Sequence, residues 1–198
     1  MRRLARLLLG TAALLSALGT TSQPTSTPRP QAPQSQTVIV VVGAGGTEQY
    51  DEQFAQWADL WEEACSQGEA KFVGIGLDNL AAQSGRAKLQ AVLSDESKQT
   101  DTPLWLVLIG HGTFDGRTAK FNLRGSDISA DDLAEWLKPI LRPTAVINSA
   151  SSSAPFLTKL SSPGRVVITA TKSGFEQNYT RFGKYLAEAI VDPRADLD

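Results

Sequence analysis

Short β-branched or apolar runs alternate with amphipathic helical patterns along most of this chain. The runs predict strands at residues 37–42, 71–75, 104–109, 145–147 and 165–170. Helical patterns, in which apolar residues recur on one face, cover residues 48–65, 84–93, 129–137 and 180–190. This alternation predicts an α/β fold, a three-layer sandwich in which helices cover both faces of a mostly parallel central sheet.

The N-terminus predicts a secretory signal. Three arginines among the first six residues precede a short apolar run at residues 7–18, and Ala17 and Gly19 are small residues at the −3 and −1 positions of a signal peptidase site. The run is shorter than the roughly 20 residues that span a bilayer. We therefore expect residues 1–19 to be a signal peptide and the protein to be exported, to the periplasm or the extracellular space. A membrane would be a partner only through an uncleaved signal segment.

Two further segments flank the predicted domain, which covers residues 37–191. Residues 20–36 contain four prolines among Ser, Thr and Gln, a composition that predicts an extended, disordered linker. Residues 192–198 form an acidic tail. Truncation of a longer chain is an alternative explanation for that end.

Composition excludes several classes of function. The net charge of −2 is less basic than that of typical nucleic-acid binders, so we expect no nucleic-acid partner. One cysteine, Cys65, cannot form an intramolecular disulfide or a Cys-based zinc site. Its place on the apolar face of the first helix predicts a buried core thiol. Only His111 can supply an imidazole, so we expect no metal site and no cofactor.

Ligand sites in parallel sheets form at the carboxyl ends of the strands, so three loops are candidates: residues 43–48, 110–116 and 148–156. The first loop reads GAGGTE and would match a dinucleotide fingerprint only if Gly replaced Glu48. The chain also lacks the G-K-[ST] of a phosphate-binding loop. This loop therefore predicts a tight strand-to-helix turn, and we expect no nucleotide.

The second loop places His111 between two glycines, directly after the most apolar strand. There the imidazole could act as a general base, and the Gly112 N–H could face an oxyanion. A histidine that only caps the strand end by hydrogen bonding fits the position equally well. The third loop is rich in serine, but an α/β-hydrolase needs G-x-S-x-G and a histidine after the serine, and this chain has neither.

Two of these loops carry a family resemblance. The motifs are Gly110-His111-Gly112 and the turn from Asn148 to Ser153, with the segment ITATKSGFE at residues 168–176 as a third element. Over residues 37–190 the chain resembles the legumain and caspase group of cysteine peptidases, the legumain type more closely. In that group one strand ends in His-Gly, and a later strand ends in an acidic or polar residue, Ala and the catalytic Cys. The resemblance implies a caspase/legumain-like fold with His111 in the position of the base.

The position that matches the catalytic cysteine is Ala150, whose methyl group has no lone pair with which to attack. One interpretation is a pseudopeptidase that binds a peptide or protein ligand without cleaving it. The alternative is an active hydrolase in which His111 works with Ser149 or Ser151, although a serine hydroxyl needs stronger activation than a thiol.

The segment after the fifth strand is the candidate substrate-binding region. Thr169, Ala170 and Thr171 would offer an edge for strand-like pairing with an extended peptide. Glu176 would set a charge preference. Phe114 and Phe121 are expected to be packing residues of the core or of a loop.

Overall fold

The computed structural model describes residues 35–77, 85–98 and 102–195. These residues belong to the compact unit Pro33–Asp198. The expected signal peptide, linker residues 20–34 and tail residues 196–198 lie outside the described residues. No helix within the described ranges is long and apolar enough to cross a membrane.

Eight strands and five helices make up the described chain. In chain order they are β1 (Thr37–Val42), α1 (Glu48–Gln67), β2 (Lys71–Ile75), α2 (Gly85–Glu96), β3 (Leu104–Ile109), β4 (Gly112–Phe114), β5 (Ala119–Phe121), β6 (Ile128–Ser129), α3 (Ala130–Leu137), β7 (Thr144–Asn148), α4 (Ala154–Leu160), β8 (Arg165–Thr169) and α5 (Phe182–Val191).

Five parallel strands form the central sheet in the order β2-β1-β3-β7-β8. β1 is buried along its whole length, as expected for a continuous β-branched run covered on both faces. The chain leaves β1 toward β2 and returns to β3 on the other side of β1, so the strand order switches direction between β1 and β3. A crevice at such a switch is the usual ligand site of an open α/β sheet.

Helices cover both faces of this sheet. On one face α1 and α5 pack through Phe54, Trp57 and Ala187 onto valines of β1. On the other face α2, α3 and α4 pack through Leu89, Leu133 and Phe156 onto a second core cluster. This three-layer arrangement confirms the predicted α/β fold and its mostly parallel central sheet.

Helix α3 begins with a complete capping box. The Ser129 hydroxyl accepts from the Asp132 N–H at 3.0 Å, and the Asp132 carboxylate accepts from the Ser129 N–H at 3.0 Å. Arg86 on α2 donates to both carboxylate oxygens of Asp132 at 2.8 Å. The guanidinium holds the pKa of Asp132 well below its usual range. This ion pair joins α2 to α3, the two helices that lie side by side on one face of the sheet.

Two parts of the fold were not predicted from the sequence. The first is the small antiparallel sheet β4-β5-β6, whose strands have two or three residues each. The second is α4, a helix of seven residues that begins with Ala154-Pro155. Both elements are too short for a hydrophobic period to be recognised.

Candidate functional site

The candidate site lies where the loops after β1, β3 and β7 meet at the carboxyl edge of the sheet. His111 lies two positions after the end of β3 and directly before β4. Its Nε2 lies 3.2 Å from the carbonyl oxygen of Gly45, in the loop after β1. The imidazole therefore bridges the two strands between which the strand order switches.

The hydrogen bond to Gly45 determines which ring nitrogen carries the proton. A carbonyl oxygen only accepts, so Nε2 donates and Nδ1 is the basic nitrogen of the neutral ring. The Gly45 N–H in turn donates to the Asp51 carboxylate at 2.9 Å, and Arg124 donates to the same oxygen at 2.6 Å. Asp51 and Arg124 thus fix the loop that orients the imidazole.

Aromatic side chains of α1 hold the other sides of the His111 ring. Tyr50 meets it edge to face with a centroid distance of 4.8 Å, and Phe54 does so at 5.1 Å. Tyr179 packs on Tyr50 at 5.1 Å, and its hydroxyl donates to Gln53 at 3.2 Å. Sequence reasoning missed these neighbours. The i, i+4 spacing of Tyr50 and Phe54 shows that they share a helix face, but it does not show what that face touches.

Gly112 brings the loop after β3 against the loop after β7. A Cβ built on Gly112 would lie 2.3 Å from the Ser151 carbonyl oxygen and 3.4 Å from the Ala150 Cβ. Only glycine permits so close an approach. The structure therefore places position 150 beside the residue that follows His111.

The Gly112 N–H, expected to face an oxyanion, is engaged within the protein in this structure. It donates to the Ser151 hydroxyl at 3.2 Å, and that hydroxyl donates to the Gly112 carbonyl at 3.1 Å. This reciprocal pair joins the two loops. An oxyanion could use this N–H only after displacing Ser151 Oγ.

Ala150 is 1% exposed and belongs to the core cluster on the α2, α3 and α4 side of the sheet. Its N–H donates to the Asn148 side-chain oxygen at 3.1 Å, which closes a tight turn at the end of β7. The turn holds position 150 in one place.

The two serines proposed as substitute nucleophiles are buried and bonded elsewhere. The Ser149 hydroxyl donates to the Leu108 carbonyl at 2.8 Å, and the Ser151 hydroxyl donates to the Gly112 carbonyl. A hydroxyl has a single proton to donate, so in this arrangement neither serine donates to His111.

Ser152 and Asn148 contain buried polar atoms without a partner among the described residues: Ser152 Oγ and Asn148 Nδ2. Ser152 also has a backbone φ of +53°, in the left-handed region that favours glycine. Unpaired buried groups and backbone strain thus occur together in this loop.

The four residues expected to bind substrate contact the same loop from β8 and the segment that follows. Ala170 donates its N–H to the Asn148 carbonyl at 3.0 Å, and the Glu176 carbonyl accepts from the Ser152 N–H at 2.8 Å. Thr171 is buried, and its hydroxyl accepts from the Ala154 N–H at 3.0 Å. Thr169 ends β8 at the edge of the sheet.

The two phenylalanines and the cysteine take packing positions. Phe121 is fully buried, and Phe114 packs edge to face on the exposed Phe175 at 5.1 Å. Cys65 is 3% exposed, and burial raises the pKa of its thiol, with Glu62 adding to the effect. A buried thiol with a raised pKa is a poor nucleophile. The described residues contain no cluster of His, Cys, Asp or Glu that could hold a metal ion.

Comparison with known proteins adds a structural likeness. No protein-family model and no curated protein matches the chain. The chain is similar to the crystal structure of the Drosophila initiator caspase Dronc, with a TM-score of 0.51 and 13% sequence identity over 82% of this chain and 67% of that one. At this identity the likeness concerns the fold alone. The five parallel strands between two helical layers are therefore a caspase-like fold.

Proposed function

We propose that this chain is an exported, caspase-like pseudopeptidase that binds a peptide or protein ligand and does not cleave it. The observation that carries the proposal is Ala150, which the motif resemblance matches to the catalytic cysteine of the legumain and caspase group. A methyl group cannot attack a carbonyl, so a scaffold of this kind retains recognition and loses bond cleavage.

The geometry around position 150 supports the assignment of a former nucleophile site. Ala150 lies beside Gly112. His111 is oriented by the Gly45 carbonyl and has Nδ1 as its basic nitrogen. The proposed base and nucleophile positions thus lie in the loops that follow two neighbouring strands, β3 and β7.

The geometry of the serines disfavours the alternative, an active hydrolase. Ser149 and Ser151 donate their hydroxyl protons to main-chain carbonyls, and both side chains are buried. Either serine would have to break that bond and turn toward His111 before the imidazole could remove its proton.

A gain-of-function experiment tests the proposal. The unmodified chain and the Ala150→Cys variant are assayed on a fluorogenic peptide library, each with and without His111→Ala. Ser151→Cys is the matched control, because it places a thiol one residue away. Because Ala150 is 1% exposed, a thiol at this position can cleave a peptide only when peptide binding exposes it. We expect cleavage by Ala150→Cys alone, with His111 intact, and we expect the unmodified chain to bind the peptides that this variant cleaves, measured by fluorescence polarisation.

Two results would contradict the proposal. Cleavage by the unmodified chain that disappears with His111→Ala would establish the active-hydrolase alternative. Absence of both cleavage by Ala150→Cys and peptide binding by the unmodified chain would refute the assignment of the site.

Export is tested separately from peptide binding. The chain is expressed with its own N-terminus, and the N-terminal residue of the material outside the cytoplasm is determined. Cleavage after Gly19 predicts that this residue is Thr20. Retention of the intact chain inside the cell would contradict the proposed signal peptide.

A further inference from the structure

An apolar cavity lies at the amino edge of the central sheet, the edge opposite His111. It is bordered by the last turns of α1 and α5 and by the starts of β1 and β3, and its volume is about 150 Å³. The side chains that matter here are Val38, Trp61, Ala64, Cys65, Trp105 and Ile190. Val38 and Trp105 are register partners on neighbouring strands, so they share one face of the sheet. An apolar cavity of this size holds a molecule as large as benzene.

Two of the four tryptophans of the chain line this cavity. Trp61 on α1 and Trp105 on β3 have ring centroids 6.4 Å apart, and their ring planes are tilted by 49°. Trp61 is buried, whereas Trp105 is partly exposed. The indole ring attracts cations more strongly than the rings of Tyr and Phe do. The pair therefore offers a cation aromatic contacts from a helix and from a strand.

The carboxyl ends of two helices border the same cavity. Ala64 and Cys65 lie in the last turn of α1, and Ile190 lies in the last turn of α5. The end of a helix carries a partial negative charge, which favours a cation nearby. Neither of these last turns contains a basic residue. The two helix ends therefore add negative potential that no side chain of their own last turns offsets.

The charged side chains near the cavity also favour a cation. Burial raises the pKa of the Cys65 thiol, and the negative charge of Glu62 raises it further, so this charge acts on a residue that lines the cavity. The nearest basic residue in the sequence, Lys71, directs its ammonium group elsewhere. It pairs at 2.7 Å with Glu96 of α2, a helix on the opposite face of the sheet.

We propose that this cavity binds a quaternary ammonium group, the trimethylammonium head of a choline-type ligand. Such a cation has no N–H to donate, so it binds through aromatic rings and apolar contacts alone. Val38, Ala64 and Ile190 supply the apolar contacts to its methyl groups. A primary ammonium would instead bury three N–H donors against these apolar walls, which is costly. The site is separate from the proposed peptide site and does not depend on it.

A matched pair of small molecules tests the proposal. Choline is compared with its neutral isostere, in which a carbon atom replaces the ammonium nitrogen, so the two differ in charge and hardly in shape. We expect isothermal titration calorimetry of the purified chain at constant ionic strength to show choline binding at least about tenfold more tightly than the isostere. A short peptide that contains trimethyl-lysine is titrated in parallel. Tighter binding of this peptide would assign the cation to a protein side chain, and tighter binding of choline would assign it to a free small molecule.

Substitution of one tryptophan tests the place of binding. Trp105→Leu removes an aromatic ring from the cavity and should weaken choline binding by about tenfold, with a much smaller effect on the isostere. Trp136→Leu is the matched control, because Trp136 lies on α3, on the other face of the sheet, where the Arg86 guanidinium covers its ring. This variant should bind choline like the unmodified chain.

Circular dichroism of each variant verifies that it is folded. If Trp105→Leu does not fold, Ala64→Leu replaces it, because the larger side chain would fill the cavity and should abolish choline binding. Equal affinities for choline and the isostere would overturn the proposal, since they would show an apolar cavity without preference for a cation. So would the absence of binding by the unmodified chain, or choline binding that survives these substitutions.

Discussion

A substitution at Ser152 tests whether the loop that follows β7 is strained. It has a φ of +53° and a buried hydroxyl without a partner among the described residues. The left-handed conformation costs an L-residue about 1–2 kcal/mol, and an unpaired buried hydroxyl costs about 1–3 kcal/mol. Both penalties disappear in Ser152→Gly.

Two terms oppose this gain. Glycine loses about 0.5–1 kcal/mol more backbone entropy on folding, and removal of a buried side chain of this size forfeits about 1 kcal/mol of packing. The balance predicts that Ser152→Gly stabilises the fold by about 1–2 kcal/mol. At this chain length that gain raises Tm by about 2–8 °C.

Thermal and urea unfolding followed by circular dichroism measures the effect. Two variants separate its causes. Ser152→Ala removes the hydroxyl but keeps the strained Cβ, so it should recover only part of the gain. Glu69→Gly relieves a similar φ of +52° at an exposed position, and it should gain no more than about 1 kcal/mol. A lower stability of Ser152→Gly would refute the reasoning, because it would mean that the hydroxyl or the Cβ makes a favourable contact.

Two further predictions concern other contacts. Gly112→Ala places a Cβ 2.3 Å from the Ser151 carbonyl oxygen, so this variant should lose about 2–3 kcal/mol of folding stability. The control, Gly116→Ala, has a φ of +90° but no atom near the added Cβ, and it should lose about 1 kcal/mol. Equal losses of the two variants in urea unfolding would contradict the close approach at Gly112. Asp132→Asn should lower stability by about 1–2 kcal/mol at pH 7. Because Arg86 lowers the folded-state pKa of Asp132, the contribution of the carboxylate is present above its unfolded pKa of about 3.9 and is lost as the pH falls through the folded value. The difference between the two proteins should therefore narrow in acid, and a constant difference from pH 7 to pH 3 would contradict this linkage.

Much of the fold was predictable because its strands are strongly apolar. The runs that form β1 and β3 are apolar throughout, so they must be buried on both faces. The helical patterns between the strands then indicate a parallel sheet. α4 was not predictable, because seven residues after a serine run give no period to recognise. The small sheet of β4, β5 and β6 depends on pairing between residues that are distant in the chain.

The candidate site also has features that the sequence predicts and features that it does not. The alternation of strands and helices predicts that His111 and position 150 lie at the same edge of the sheet. The direct pairing of β3 with β7 comes from the structure. The hydroxyl directions of Ser149 and Ser151 do not follow from it, because they depend on which carbonyls the folded loops bring within reach. The Gly45 carbonyl that orients His111 was not predictable for the same reason.

These hydroxyl bonds show how the loop after β7 is held in place. In a nucleophile loop the reactive atom must be held near its base and left free of stable partners. Here the Ser151 hydroxyl instead bonds both the N–H and the carbonyl of Gly112, and the Ser149 hydroxyl bonds the end of β3. The serines therefore tie the loop to the chain on both sides of His111, Ser149 to β3 and Ser151 to Gly112. An ordered loop loses little conformational entropy when the proposed peptide ligand binds. If Ser149→Ala and Ser151→Ala weaken peptide binding by the unmodified chain while His111→Ala leaves it intact, the serines act by ordering the loop and have no catalytic part.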